Sequence, residues 1–334
     1  MQAFRLRSMA GLEAEILSFG ARLASLRVPT AAGPVEVVLG YPQAAGFLVD
    51  RGYLGAVIGR VSGRIARARC AFGGQEFRLE ANAGEHHLHG GTPGLHGRHW
   101  QAERVDAQQL VLGAVLPAGE SGYPGQLRVR LAFRVEALTL QVQMAATVDA
   151  VSPLSLTYHP YFNLGGPGAP LGEHRMEIAA SRFLEVDAGL IPTGRQLPVT
   201  DTPLDFRRPA RLGERLAQRH PQLALAGGFD HTYLLDPERA WDARVWHPRT
   251  DLSLRVRSDQ PGLQFYTGQW LEPLAGAVWQ AGDGLCLEPQ GWPDAVNRPE
   301  FPSPWLRPGE WYRRQIRYEF ATTELSDPFS GCYG

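Results

Sequence analysis

The chain has 334 residues, of which 44% are hydrophobic, enough for a sizeable core, and its formal net charge of −1 gives no electrostatic footprint for nucleic acid or an anionic membrane. All 33 basic residues are arginine. The lack of lysine removes Schiff-base chemistry, a pyridoxal phosphate lysine and a Walker-type phosphate loop.

Glycine (38) and proline (26) are spread along the whole chain, and short alternating runs sit between turn signals. That pattern predicts an all-β protein, a large antiparallel β-sandwich, organised as one domain over residues 1–334. In chain order, strands are expected at Glu15–Val28, Glu36–Gly40, Leu110–Leu116, Ser155–Tyr158, His174–Ala180 and Arg182–Val186. Further strands are expected at Tyr233–Leu235, Ser253–Ser258, Leu263–Thr267 and Arg314–Phe320. Two hairpins stand out. Arg69–Leu79 turns at Gly73-Gly74, a pair that accepts positive φ. Gln126–Val148 alternates on both arms, which argues for one buried face. Leu212–Gln218 reads as a short helix.

Three scattered cysteines, Cys70, Cys286 and Cys332, match neither a zinc knuckle nor a disulfide framework. Reduced thiols in a reducing compartment are expected. No apolar leader and no run of about 18 apolar residues occurs, so a cytoplasmic protein without a membrane partner is expected.

Candidate chemistry sits in five stretches. Gly59–Ala66 offers Arg64, whose guanidinium is a fork of donors for hydroxyls. Gly84–Trp100 holds five of the ten histidines. His87 and His89 alternate like metal ligands on a strand, but no Glu follows at a suitable distance and no HExxH occurs, so no metal is assigned. The other reading is a glycine-rich loop presenting an imidazole to a polar ligand. Leu156–Gly166 runs an apolar strand into His159, then Pro160 and two aromatics, Tyr161 and Phe162. Gly228–Leu235 carries Asp230 before a strand. In Gly262–Trp270, Gln264 points away from the core if Leu263 and Phe265 face it. Leu285–Asn297 carries Glu288, expected at a strand rim where Pro289 ends the ladder, with Trp292 and Asp294 on the following loop. A carboxylate beside an indole suits a sugar pocket. Glu288 and His159 form a candidate acid–base pair. No GxSxG or GxGxxG supports acyl or dinucleotide chemistry.

Taken jointly and in this order, these stretches resemble the aldose 1-epimerase (galactose mutarotase) family, from about Glu13 to Phe320. The carrying motifs are Gly-Arg-Ile, Leu-His-Gly-Gly, His-Pro-Tyr-Phe-Asn-Leu, Phe-Asp-His, Gln-Phe-Tyr-Thr-Gly and Leu-Glu-Pro-Gln-Gly-Trp-Pro-Asp-Ala-Val-Asn. The resemblance implies a β-sandwich with an open sugar cleft, no cofactor, and a free monosaccharide as substrate, in a monomer or homodimer. It implies Glu288 as general base and His159 as general acid. Arg64, His89, Asp230 and Gln264 would contact sugar, and Tyr161 would line the site. Two departures bear on sugar preference. Gly63 stands where the family usually has Asn, and Tyr158 where it usually has Asn before the histidine.

The expected reaction interconverts α and β anomers of a free aldohexose such as galactose or glucose. Glu288 takes the C1-hydroxyl proton, and protonated His159 donates to the ring oxygen. At their ordinary pKa values both groups reach these states near neutrality. The alternatives are a hexose-phosphate mutarotase using the Arg60, Arg64, Arg67 and Arg69 cluster, and a non-catalytic sugar-binding sandwich.

Overall fold

A computed structural model describes residues 1–322; Cys332 and the end of the chain lie outside the described residues. The longest hairpin is Leu127–Glu136 with Thr139–Val148, paired from Leu127↔Val148 to Glu136↔Thr139. Its alternating side chains bury Val129, Leu131, Phe133, Leu140, Val142 and Met144. This hairpin sits within a nine-stranded antiparallel sheet. Its order is Gln101–Val105, Gln109–Leu116, Leu127–Glu136, Thr139–Val148, Tyr312–Thr322, Leu252–Ser258, Ala243–His247, Arg175–Ile178, Ala210–Arg211.

A six-stranded antiparallel sheet carries most of the candidate residues. Its order is Tyr161–Phe162, Leu285–Gln290, Gly262–Tyr266, Asp230–Leu235, Ala180–Val186, Pro192–Pro198. The two sheets share one apolar core. Phe162 of the smaller sheet meets Tyr318 of the larger one, ring centroids 5.1 Å apart. A four-stranded N-terminal sheet, Ala3–Arg7 to Val35–Glu36, contributes Leu6, Ile16 and Leu26 to the same core. The all-β, antiparallel architecture expected from the alternation is therefore the one observed.

Several boundaries differ. Glu15–Val28 is two strands, Glu13–Leu17 and Arg22–Val28, because the chain turns at Gly20 and Ala21, both at positive φ. Gln101–Val105 is exposed at every position, so no alternation marked it. The helix Pro221–Ala226 has proline at its first turn and Gly227 at φ +69° after its end. Pro289 does not end the ladder. It pairs with Leu263, and Gln290 with Gly262. The neighbouring segment Tyr161–Phe162 has stopped pairing at Cys286, so a residue without an N–H is tolerated there. Glu288 thus lies within a strand, buried, and not at a rim.

Candidate active site

Three adjacent strands build the floor. Thr232 pairs with Gln264, and Gln264 with Glu288, so these three form one row across the sheet. Leu263, Phe265, Leu285 and Leu287 point into the core. By the two-residue period of a strand, Gln264, Glu288 and Gln290 point the other way. Asp230 lies two residues before Thr232 and therefore shares its face. Its Oδ1 accepts a hydrogen bond from Gln264 Nε2 at 2.6 Å, while Thr232 Oγ1 donates to Gln264 Oε1 at 2.5 Å. The Gln264 amide is thereby held at both ends.

His159 ends the short strand Thr157–His159, which pairs with Ala56–Ile58. Its Nε2 stands 3.5 Å from Glu288 Oε2, and its Nδ1 lies 3.4 Å from Cys286 Sγ. Both members of the pair are buried, His159 at 3% exposure and Glu288 at 2%. Burial pushes the imidazole down to about 4. Burial also pushes the Glu288 carboxyl well above its ordinary range, and the nearby Asp230 carboxylate adds to that. The ordinary values assumed from sequence therefore do not hold for this buried pair.

His159, Cys286 and Glu288 are the one trio of potential metal ligands drawn together among the described residues. The thiol faces Nδ1 and the carboxylate faces Nε2, so they meet opposite edges of the ring. His87, the candidate partner of His89, is committed elsewhere. Its Nε2 meets Tyr123 Oη at 2.8 Å and its Nδ1 the Glu80 carbonyl at 2.7 Å.

The remaining walls come from loops and short strands. Arg64 pairs with Leu88 on a two-stranded ribbon and places Nη1 3.9 Å from Asp230 Oδ2. His89 follows that ribbon at φ +54°, and its Nδ1 accepts from Gly63 N at 3.2 Å. The Tyr161 hydroxyl donates to the Gly52 carbonyl at 2.8 Å, so its ring, 5.0 Å from that of His159, is what it turns to the site. Arg64, His89, His159, Tyr161, Asp230, Gln264 and Glu288 all line one cavity of about 220 Å³. That suits one small ligand more than a polymer.

Other lining groups were not singled out from sequence. Tyr53 packs its ring at 4.8 Å from that of His89 and 6.1 Å from that of His159. It rides on a loop fixed by the buried ion pair of Arg22 and Asp50, at 2.7 Å. Asp50 also accepts from Tyr41 Oη and from the backbone N–H groups of Gly52 and Leu54. No local pattern marks Tyr53. Thr232, Tyr266 and Gln290 were equally left out, although the strand period carries a signal for them, since each lies two residues from a candidate on the same strand.

Trp292 does not cover the pocket. It packs against Phe301 at 5.0 Å and donates to the Pro261 carbonyl. Asp294 instead braces the Arg64 ribbon, accepting from Ala66 N at 3.0 Å and donating its own N–H to the Arg64 carbonyl. Of the two departures, Tyr158 is a core residue reaching the Ala21 carbonyl and lies outside the cavity lining. Gly63 does line it, at φ +72°, a region that glycine and asparagine tolerate best.

The family model described as aldose 1-epimerase matches residues 2–319. The galactose mutarotase of Mus musculus is 40% identical over 329 residues, covering 96% of this chain and 94% of its own length. The aldose 1-epimerase of Escherichia coli K12 is 34% identical over 328 residues, covering 94% of each chain. Among solved structures, an aldose epimerase homologue from C. elegans superimposes with a TM-score of 0.90 at 29% identity, covering 97% of this chain and 99% of that one. The chain belongs to the aldose 1-epimerase family. It is accordingly an isomerase.

Proposed function

We propose that the protein interconverts the α and β anomers of a free aldohexose, galactose or glucose among them, with His159 and Glu288 as its proton-transfer pair. The observation that carries this reading is the 3.5 Å approach of His159 Nε2 to Glu288 Oε2 in a cavity that also presents the hydroxyl-binding groups of Arg64, His89, Asp230 and Gln264. Ring opening needs one proton removed from the C1 hydroxyl and one delivered to the ring oxygen. Glu288 is the acceptor and His159 the donor.

The proton count explains how burial fits this chemistry. A carboxylate with an imidazolium, and a carboxylic acid with a neutral imidazole, both hold one proton. The first state accompanies the closed sugar. Transfer to and from the substrate turns it into the second, which accompanies the open aldehyde. Burial of both groups favours the second, uncharged state. A bound sugar, donating hydroxyls to the carboxylate, favours the first. The pocket thus lowers the cost of the ring-opened stage, when the C1–C2 bond rotates, and closure reverses both transfers.

The phosphosugar alternative needs a cationic cradle. Arg60 is buried against the Pro117 and Pro124 carbonyls, and Arg69 pairs with Glu76. Of the four clustered arginines, only Arg64 lines the cavity, and it already faces Asp230; among the described residues, Arg51 is the one other arginine in the lining. This favours the free sugar. Polarimetry of freshly dissolved α-D-galactose and α-D-glucose tests the reaction, and glucose 6-phosphate run beside them tests the alternative. No acceleration above the spontaneous rate with either free sugar would overturn the proposal.

A further inference from the structure

Gln290 lies on the same strand as Glu288, two residues on, and turns its side chain to the same face. It is 1% exposed, yet neither Oε1 nor Nε2 has a hydrogen-bond partner among the described residues. Burying an amide with both ends unmatched costs free energy at each end. Native proteins meet such a cost with an ordered water, or keep it at functional sites where a ligand takes the water's place. Gln290 lines the cavity beside Glu288, Gly63 and Pro293. On that side, a methyl group placed on Gly63 would stand 3.7 Å from Gln290 Nε2, so residue 63 brings no side chain between the amide and the cavity. The contrast with Gln264 is direct. That amide is already held by Asp230 and Thr232, whereas Gln290 keeps both its donor and its acceptor free.

We propose that Gln290 is a substrate-contacting residue that pairs with one ring hydroxyl of the sugar, away from C1. The inference rests on the reading of this cavity as the sugar site. Glu288 faces C1, and two strand residues advance about 7 Å, comparable with the width of a pyranose ring. A secondary hydroxyl suits the amide because it both donates to Oε1 and accepts from Nε2. Gln290 moves no proton of the reaction. Its contribution is recognition, and it falls on a hydroxyl that the reaction leaves unchanged.

The test compares wild type with Gln290→Met, which keeps length and volume but removes both polar atoms. Anomerisation of glucose and of its 2-, 3-, 4- and 6-deoxy analogues is followed by polarimetry, with the melting temperature of each empty protein measured alongside. The expected result is about a tenfold loss of kcat/KM on glucose, carried by KM, that shrinks towards unity on one of the 2-, 3- or 4-deoxy sugars alone and persists on the 6-deoxy sugar. The empty variant should melt no lower than wild type, because it no longer buries an unpaired amide. An equal loss on every sugar, no loss on any, or a lowered melting temperature would make the amide structural and overturn the inference. Failure of wild type to turn over glucose would instead count against the sugar-site reading, and is seen separately in the wild-type arm.

Discussion

His159 and Glu288 lie far apart along the chain, yet Nε2 and Oε2 approach to 3.5 Å on strands with different partners. If this pair carries the protons, Glu288→Gln should keep the fold and lose roughly 10²–10⁴-fold in kcat, the usual worth of one positioned acid or base. His159→Asn should lose a similar factor. Polarimetry gives the rates and circular dichroism checks the fold. Near-wild-type turnover in a folded Glu288→Gln protein would remove Glu288 from the mechanism.

The pH dependence separates a buried pair from an exposed one. The active pair holds one proton. Acidification adds a second when His159, pushed down to about 4, is protonated beside Glu288 that already carries its proton. Alkalinity removes the last when Glu288 ionises, above its ordinary range. The profile of kcat/KM should therefore fall at about pH 4, where His159 gains its proton, and fall again only above the ordinary carboxylate range, where Glu288 loses its own. Groups at their ordinary values would instead lose activity above about pH 6.5. In the buried pair the basic limb belongs to the Glu288 carboxyl, so a basic limb with the steep temperature dependence of an imidazole would show that burial does not govern the pair.

Gln264 is held by Asp230 and Thr232 on the cavity floor and transfers no proton. If Gln264 binds sugar hydroxyls as proposed, Gln264→Leu should raise KM about tenfold or more, with a smaller change in kcat, because those contacts go and Asp230 is left less well matched. Steady-state anomerisation with galactose measures the split. A change confined to kcat would place Gln264 in the chemistry.

Arg22 and Asp50 form an ion pair with both side chains almost wholly buried. Removing one partner strands the other charge away from water. Asp50→Ala should destabilise the fold by about 3–5 kcal/mol, read from the midpoint of urea unfolding. Activity should fall too, since the loop carrying Tyr53 loses its anchor. A midpoint within error of wild type would show that the pair is not holding the loop.

Much of this was legible in sequence, for physical reasons. The long hairpin showed itself because one face is dry and the other wet. Gln264 was placed by the same period, since Leu263 and Phe265 had to face inward. What local pattern missed was tertiary. Tyr53 sits on an irregular loop, and only the distant Arg22 explains where it goes. Pro289 suggested a strand end because proline lacks a donor; only the register showed that the strand runs on. Trp292 lies close to Glu288 in sequence but packs on Phe301, since residues on a turn need not share a side. The shifted proton affinities were hidden for the same reason: burial belongs to the assembled fold, not to a stretch of chain.

The floor of the cavity is woven from paired strands, whereas Arg51, Leu190 and Trp270 reach its mouth from connecting segments. Trp270 is 66% exposed. Substitutions at the mouth leave the ladder beneath untouched. A library randomised at those three positions is thus the economical route to a changed sugar preference, because the machinery that opens the ring is inherited intact by every member.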